Sequence, residues 1–132
     1  MADRVQLARL RITPSGGMIP LPVHTVVLAK QGQQYRVETI EQHGRARKAW
    51  RIEIPATEAA EKLQGLKLAT VPAFPVSPLV CDGEYVELTI NGEFSALTMG
   101  WWTIAPQGAE ALADFADWLR KLGLPSEDED ND

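Results

Sequence analysis

Few side chains in this sequence combine the type and the spacing that catalysis demands. Cys81, followed by Asp82, is the sole thiol, and a thiol becomes a nucleophile when a histidine stands beside it in space. His24 and His43 are the two histidines available for that role. Cys81 lies beside Val80 in an apolar stretch, however, where a thiol is ordinarily an inert core group. Neither histidine has a His or Cys partner at metal-ligand spacing, and one cysteine forms neither an internal disulfide nor a Cys-rich zinc site. Asp82, Glu84 and Glu87 could pair as carboxylates, but Asp82-Gly83 reads as a turn and the other two as the exterior of a strand. Ser15-Gly16-Gly17 fits neither Gly-rich phosphate pattern and reads as a turn between prolines. The expectation is therefore no enzyme, no cofactor and no metal, with a small enzyme pairing Cys81 with His24 or His43 as the runner-up.

Binding residues are better represented. Gly44-Arg45-Ala46-Arg47-Lys48, with Trp50 and Arg51 behind it, places Arg45, Arg47, Lys48 and Arg51 on one hairpin. Arg9, Arg11 and Arg36 could extend that patch across neighbouring strands, which is the electrostatic requirement for nucleic acid. A sequence pI near 5.0 and the lack of an RNP, helix-turn-helix or zinc-finger pattern argue against that partner. A second candidate is aromatic. Tyr85, Phe94 and Trp102 fall on one face of a hairpin and Val86, Leu88 and Leu97 on the other. If a helix covers only the aliphatic face, those three aromatics form a platform of the kind found at protein interfaces.

The elements that must position these residues follow from period and punctuation. Residues 4–13 alternate apolar and polar with one slip near Ala8 and Arg9, the mark of a bulged strand. β-branched 23–30, a turn at Gln31-Gly32-Gln33-Gln34, then 35–42 and 49–54 continue the strand pattern. In the last of these Trp50, Ile52 and Ile54 point one way and Arg51 and Glu53 the other. Thr57 is placed to cap a short helix over 58–64 that Gly65 stops. Residues 66–83 read as an apolar loop packed over the core. Asn91-Gly92 predicts a two-residue hairpin turn with positive φ at both positions, which would set Ile90 opposite Glu93 and Val86 opposite Leu97. Pro106 opens a final helix and Gly123 with Pro125 closes it, with Leu112, Phe115, Ala116, Leu119 and Leu122 on one stripe. Strands first and segregated helices after predict α+β: an antiparallel sheet of four to six strands, a long C-terminal helix on one face, and a short helix after the third or fourth strand.

The chain has 132 residues, 45% of them apolar and 23% charged. That is the composition of one globular domain, expected over residues 1–125. Five of the eighteen acids lie in the last six residues, Glu127-Asp128-Glu129-Asp130-Asn131-Asp132. Residues 126–132 are accordingly expected to be a disordered acidic tail. The remaining thirteen acids balance thirteen Lys and Arg. No apolar run approaches the ~20 residues of a membrane span, and Met1-Ala2-Asp3-Arg4 lacks the apolar stretch of a secretory signal. A cytoplasmic location and no membrane partner are expected.

The order of parts resembles emfourin, a small bacterial protein inhibitor of thermolysin-type metalloproteases. The matching pieces are an early strand ending in Ser15-Gly16-Gly17, Pro55-Ala56-Thr57-Glu58-Ala59-Ala60 opening a helix with Leu63 and Leu66, a strand over 85–90, and Pro106 followed by Leu112, Phe115 and Trp118-Leu119. An insertion over 23–54, with two extra strands, departs from the compact pattern, so no inhibitory residue carries over. The resemblance implies a non-enzymatic binding module. Together with the aromatic face it gives the expected function: an inhibitor or immunity-type partner of another protein, or a self-associating domain, with nucleic acid unfavoured.

Overall fold

The computed structural model describes residues 3–15, 21–72, 83–92 and 94–124. Six strands form: β1 (Arg4–Pro14), β2 (Val23–Gln31), β3 (Gln34–His43), β4 (Ala46–Ile54), β5 (Glu84–Asn91) and β6 (Ala96–Trp102). Helix α1 (Ala56–Lys67) follows β4, and α2 (Glu110–Gly123) follows β6. The strands make one antiparallel sheet in the order β4-β3-β2-β1-β5-β6. The class is α+β, as the alternation and helix stripe predict.

Short connections hold the first half together. Gly32 and Gly44 adopt φ of 63° and 61°, each at the first central position of a two-residue turn between Gln31 and Gln34 or between His43 and Ala46. That is the type II′ arrangement, whose twist matches the strands it joins. The β1 bulge falls between Gln6 and Ala8. Beyond it, Ala8, Leu10 and Ile12 share a side with Val26 and Leu28, while Arg9 and Arg11 take the other.

Both helices lie on the first of these sides. Leu112, Phe115, Ala116 and Leu119 of α2 are buried in one core with Leu10, Leu28, Val37, Leu88 and Trp101. Phe115 packs on Trp118 with ring centroids 5.3 Å apart, and the Trp118 indole donates to Glu58 Oε1 at 2.9 Å, joining α2 to α1. The C-terminus of α2 rests on the sheet itself. The carbonyl of Gly123 accepts from Thr39 Oγ1 at 3.2 Å and from Trp50 Nε1 at 2.9 Å, so two buried or half-buried donors are satisfied by one helix end.

Several local expectations need correction. The β5–β6 turn spans residues 92–95, closed by Gly92 N–H donating to Ser95 O at 2.7 Å. Asn91 therefore pairs with Ala96, Ile90 with Leu97 and Val86 with Trp101. Gly92 is not among the glycines with positive φ. The longer turn moves the pairing by four residues along β6, so that Val86 meets Trp101 instead of Leu97, and an even shift preserves every strand side chain's face because the pleat has period two. Helix α1 begins two residues earlier than expected, with Pro55 in the cap position and no side-chain cap, and it runs through Gly65. Helix α2 begins at Glu110, not at Pro106. Ala109 is the cap residue and makes no side-chain cap hydrogen bond. The Glu110 carboxyl is held below the usual carboxylate range because it accepts from its own backbone N–H and that of Gly108, which places a negative charge in the first turn, where the helix dipole favours it. Most of the 66–83 loop, including Cys81 and Asp82, and the 126–132 tail lie outside the described residues.

Two substitutions test this packing. Phe115→Ala should cost about 3–5 kcal/mol, the range for removing a buried aromatic ring. A Cβ at Gly123 would stand 2.6 Å from Thr39 Oγ1 and from Val26 Cγ1, so Gly123→Ala should cost about 1–3 kcal/mol by forcing the helix end off the sheet. Urea denaturation of each variant measures both values.

Candidate functional site

The side of the sheet opposite the helices is uncovered among the described residues, and strand alternation decides what stands on it. From β1 come Arg4, Arg9 and Arg11; from β3, Arg36, Glu38 and Ile40; from β4, Arg47, Arg51 and Glu53; from β5 and β6, Tyr85, Glu87, Thr98 and Trp102. The cross-strand register aligns them in rows. One row reads Arg51, Glu38, Val27, Arg9, Thr89, Thr98, and the next reads Ala49, Ile40, Thr25, Arg11, Glu87, Gly100. The face thus carries six arginines and three glutamates. It carries no lysine: Lys30 and Lys48, the two in the sheet, both register with helix-side residues.

Ion pairing is uneven across this face. Arg4 grips Glu38 through Nε and Nη2, the latter at 2.6 Å from Oε1. Hydrogen bonds from Arg4, with the added charges of Arg36 and Arg51, hold the Glu38 carboxyl below the ordinary carboxylate range. Arg36 Nη2 donates to Gln31 Oε1 at 2.9 Å, and its Nε is buried without a partner. Arg9 reaches Glu87 only at 3.9 Å. Arg11, Arg47 and Arg51 make no ion pair within 4 Å among the described residues. Two arginines per carboxylate leave guanidinium donors pointing at solvent, since each guanidinium has five.

At the other end of the face, Tyr85 and Trp102 meet edge to face with centroids 5.3 Å apart. Gly100 makes that arrangement fit, because a Cβ there would fall inside the Tyr85 hydroxyl and ring. Trp102 remains 39% exposed. Phe94, expected beside them, instead sits in the 92–95 turn and is 93% exposed. The hairpin register alone could not place it, since the expected turn was two residues too short.

The predicted basic patch is also divided. Arg47 and Arg51 join Arg9, Arg11 and Arg36 on the open face, Arg45 lies in the turn, and Lys48 faces the helix side opposite Glu41. Period-two alternation was the signal that separates Lys48 from Arg47, and the same signal finds Arg4, which the sequence reading missed. On the helix side His24 Nε2 lies 3.0 Å from Glu41 Oε1. Cys81, the candidate nucleophile, is outside the described residues. No group of three or more His, Cys, Asp or Glu side chains among those described could hold a metal, and no described helix is long and apolar enough to cross a membrane.

A second concavity, about 260 Å³, opens between α2 and the ends of β1, β5 and β6. Its polar wall is Arg120 bound to both oxygens of Glu84, with Asp117 and Thr103 nearby. Thr103 holds φ of +52°, an uncommon conformation for a β-branched residue, where the chain leaves β6 for α2. The paired charges tie α2 to the start of β5, so the wall's charges largely satisfy each other.

Comparison with models of protein families, with curated proteins and with solved structures finds no match to this chain.

The Arg4–Glu38 pair has a signed pH dependence. A depressed carboxylate contributes stability above its unfolded pKa, about 4.3, and loses it as pH falls through the lower folded value. Arg4→Gln should move the Glu38 titration up toward that ordinary value and flatten the acid-side loss of stability. NMR titration of the Glu38 side-chain carboxyl, with acid denaturation of both proteins, reads the two effects.

Proposed function

We propose that this domain is a non-enzymatic protein-binding module, an inhibitor or immunity-type partner, that docks through the open face of its sheet. The composition of that face carries the reading. Protein interfaces are enriched in Arg, Tyr and Trp and depleted in Lys, because planar guanidinium and aromatic groups contribute contact area and directed hydrogen bonds at low ordering cost. Six arginines without a lysine, beside an edge-to-face Tyr85–Trp102 pair, match that selection. A face that needed only to be solvated would be served equally well by lysine. The order of elements shared with emfourin supports a binding module by analogy alone.

Nucleic acid would use the same arginines and the same aromatic pair. Glu38, Glu53 and Glu87 stand among them, however, and would abut phosphates on any extended strand laid across the sheet. The enzyme reading would need Cys81 beside His24, whose Nε2 lies 3.0 Å from Glu41 Oε1, or beside His43.

Crosslinking in native lysate followed by mass spectrometry identifies a partner, whose affinity is then measured with purified variants. Tyr85→Ala and Trp102→Ala should each weaken that affinity by about 2 kcal/mol, the usual size of an aromatic anchor. Melting curves should show much smaller losses than for Phe115→Ala. Equal loss of folding stability and no loss of affinity would remove the aromatic pair from the interface.

A further inference from the structure

At the basic end of the open face a depression of about 310 Å³ is lined by residues of β1 to β4. Arg9, Arg11 and Arg47 rim it, and Val23, Thr25 and Ile40 contribute to its lining. Arg9 and Arg11 come from the middle of the sheet and Arg47 from its edge strand. Their local anions do not satisfy them. Glu87 stands directly across from Arg11 in the register but its ion pair, at 3.9 Å, is with Arg9. Arg47 is paired across the ladder with Gln42, a neutral side chain whose Nε2 donates to the carbonyl of Gly44 at 2.7 Å. No acid among the described residues forms an ion pair with Arg11 or Arg47.

The geometry points to a carboxylate-binding seat: the depression takes an Asp or Glu side chain from an acidic, extended segment of the partner protein. This inference rests on the protein-binding reading and names the partner's chemistry. Guanidinium forks bind carboxylates through two parallel hydrogen bonds, and Val23 and Ile40 add apolar surface beside them. A segment that alternates acids with small polar residues would present an acid toward the arginines at every second position. The interspersed Glu38, Glu53 and Glu87 favour a protein over a polyphosphate, because a protein can offer them a cation or leave a gap.

The test uses the full chain, a short synthetic peptide alternating Glu and Thr, its Gln-for-Glu counterpart, and a single-stranded oligonucleotide, each titrated by NMR. The Glu peptide should bind saturably, shift the side-chain resonances of Arg9, Arg11 and Arg47, and weaken as salt is raised. The Gln peptide should not bind, and the exposed double variant Arg11→Gln, Arg47→Gln should lose affinity for the Glu peptide by roughly tenfold or more. Tighter binding of the oligonucleotide, or equal binding of the Gln peptide, would overturn the inference. So would shifts at these three arginines on simply deleting residues 127–132, or on diluting the free protein, since the occupant would then be the chain's own acidic end or a second copy. If the Glu peptide fails while the Tyr85 and Trp102 variants still lose the captured partner, the acidic assignment falls and the protein-binding reading stands. If the oligonucleotide wins and no protein partner depends on Tyr85 or Trp102, both fall.

Discussion

The seating of α2 on Leu10, Val26, Leu28, Val37 and Thr39 is the contact on which the other features of this domain depend. It requires an apolar stripe on the helix and a glycine where the helix end meets the sheet, with its carbonyl shared between Thr39 and Trp50. Once that side of the sheet is claimed, the pleat leaves no freedom elsewhere. Arg9 and Arg11 must point away because Leu10 and Ile12 point inward, and Arg47 and Arg51 because Trp50 and Ile52 register with Thr39 and Val37. The arginine face is therefore a geometric consequence of the core and needs no separate folding signal.

Two helices do not suffice to shield both sides of six strands, and the chain handles the uncovered side in two ways. Its small apolar residues are shielded by longer neighbours: Val27, between Arg9 and Glu38 in the register, is only 8% exposed, consistent with charged side chains laying their aliphatic stems over the sheet. Its larger groups are charged or aromatic, which remain compatible with water until a partner displaces it. The unequal count of cations and anions makes this side selective, because half the guanidinium capacity has no internal use.

Much of this was legible in the sequence because the relevant signals were periodic. Alternation gave six strand segments, with the fourth read from 49 instead of 46, and the three-and-four spacing of Leu112, Phe115, Ala116 and Leu119 gave α2. The face of Tyr85 and Trp102 was readable even with the turn misjudged, since an even slip of the register leaves parity intact. What failed was local chemistry. Asn91-Gly92 carries a strong turn preference, yet the chain closes through Gly92 and Ser95, which shifts the loop and removes Phe94 from the sheet. Thr57 and Pro106 carry capping preferences that tertiary packing overrides, with Glu58 engaged by Trp118 and α2 starting at Glu110 with Ala109 in the cap position. The gathering of arginines from β1, β3 and β4 was anticipated only as a patch extending across neighbouring strands; which of them share a side is set by strand order and register, which sequence spacing does not encode.

Strand order also bears on how the chain is assembled. β1 to β4 form a meander in which β2–β3 and β3–β4 close through two-residue turns. β5 instead finds β1 across the whole of that meander and α1, with Ala8 meeting Ile90. Bringing such distant segments together costs about 3 kcal/mol more closure entropy than a local turn, and non-local pairing of this kind is slow. On the ribosome the delay is built in, because residues 84–91 do not exist when β1 to β4 are already able to pair. Until they emerge, the strand destined for the middle of the sheet is an edge strand, with its outer hydrogen-bonding groups and the apolar row of Ala8, Leu10 and Ile12 open to any other strand nearby.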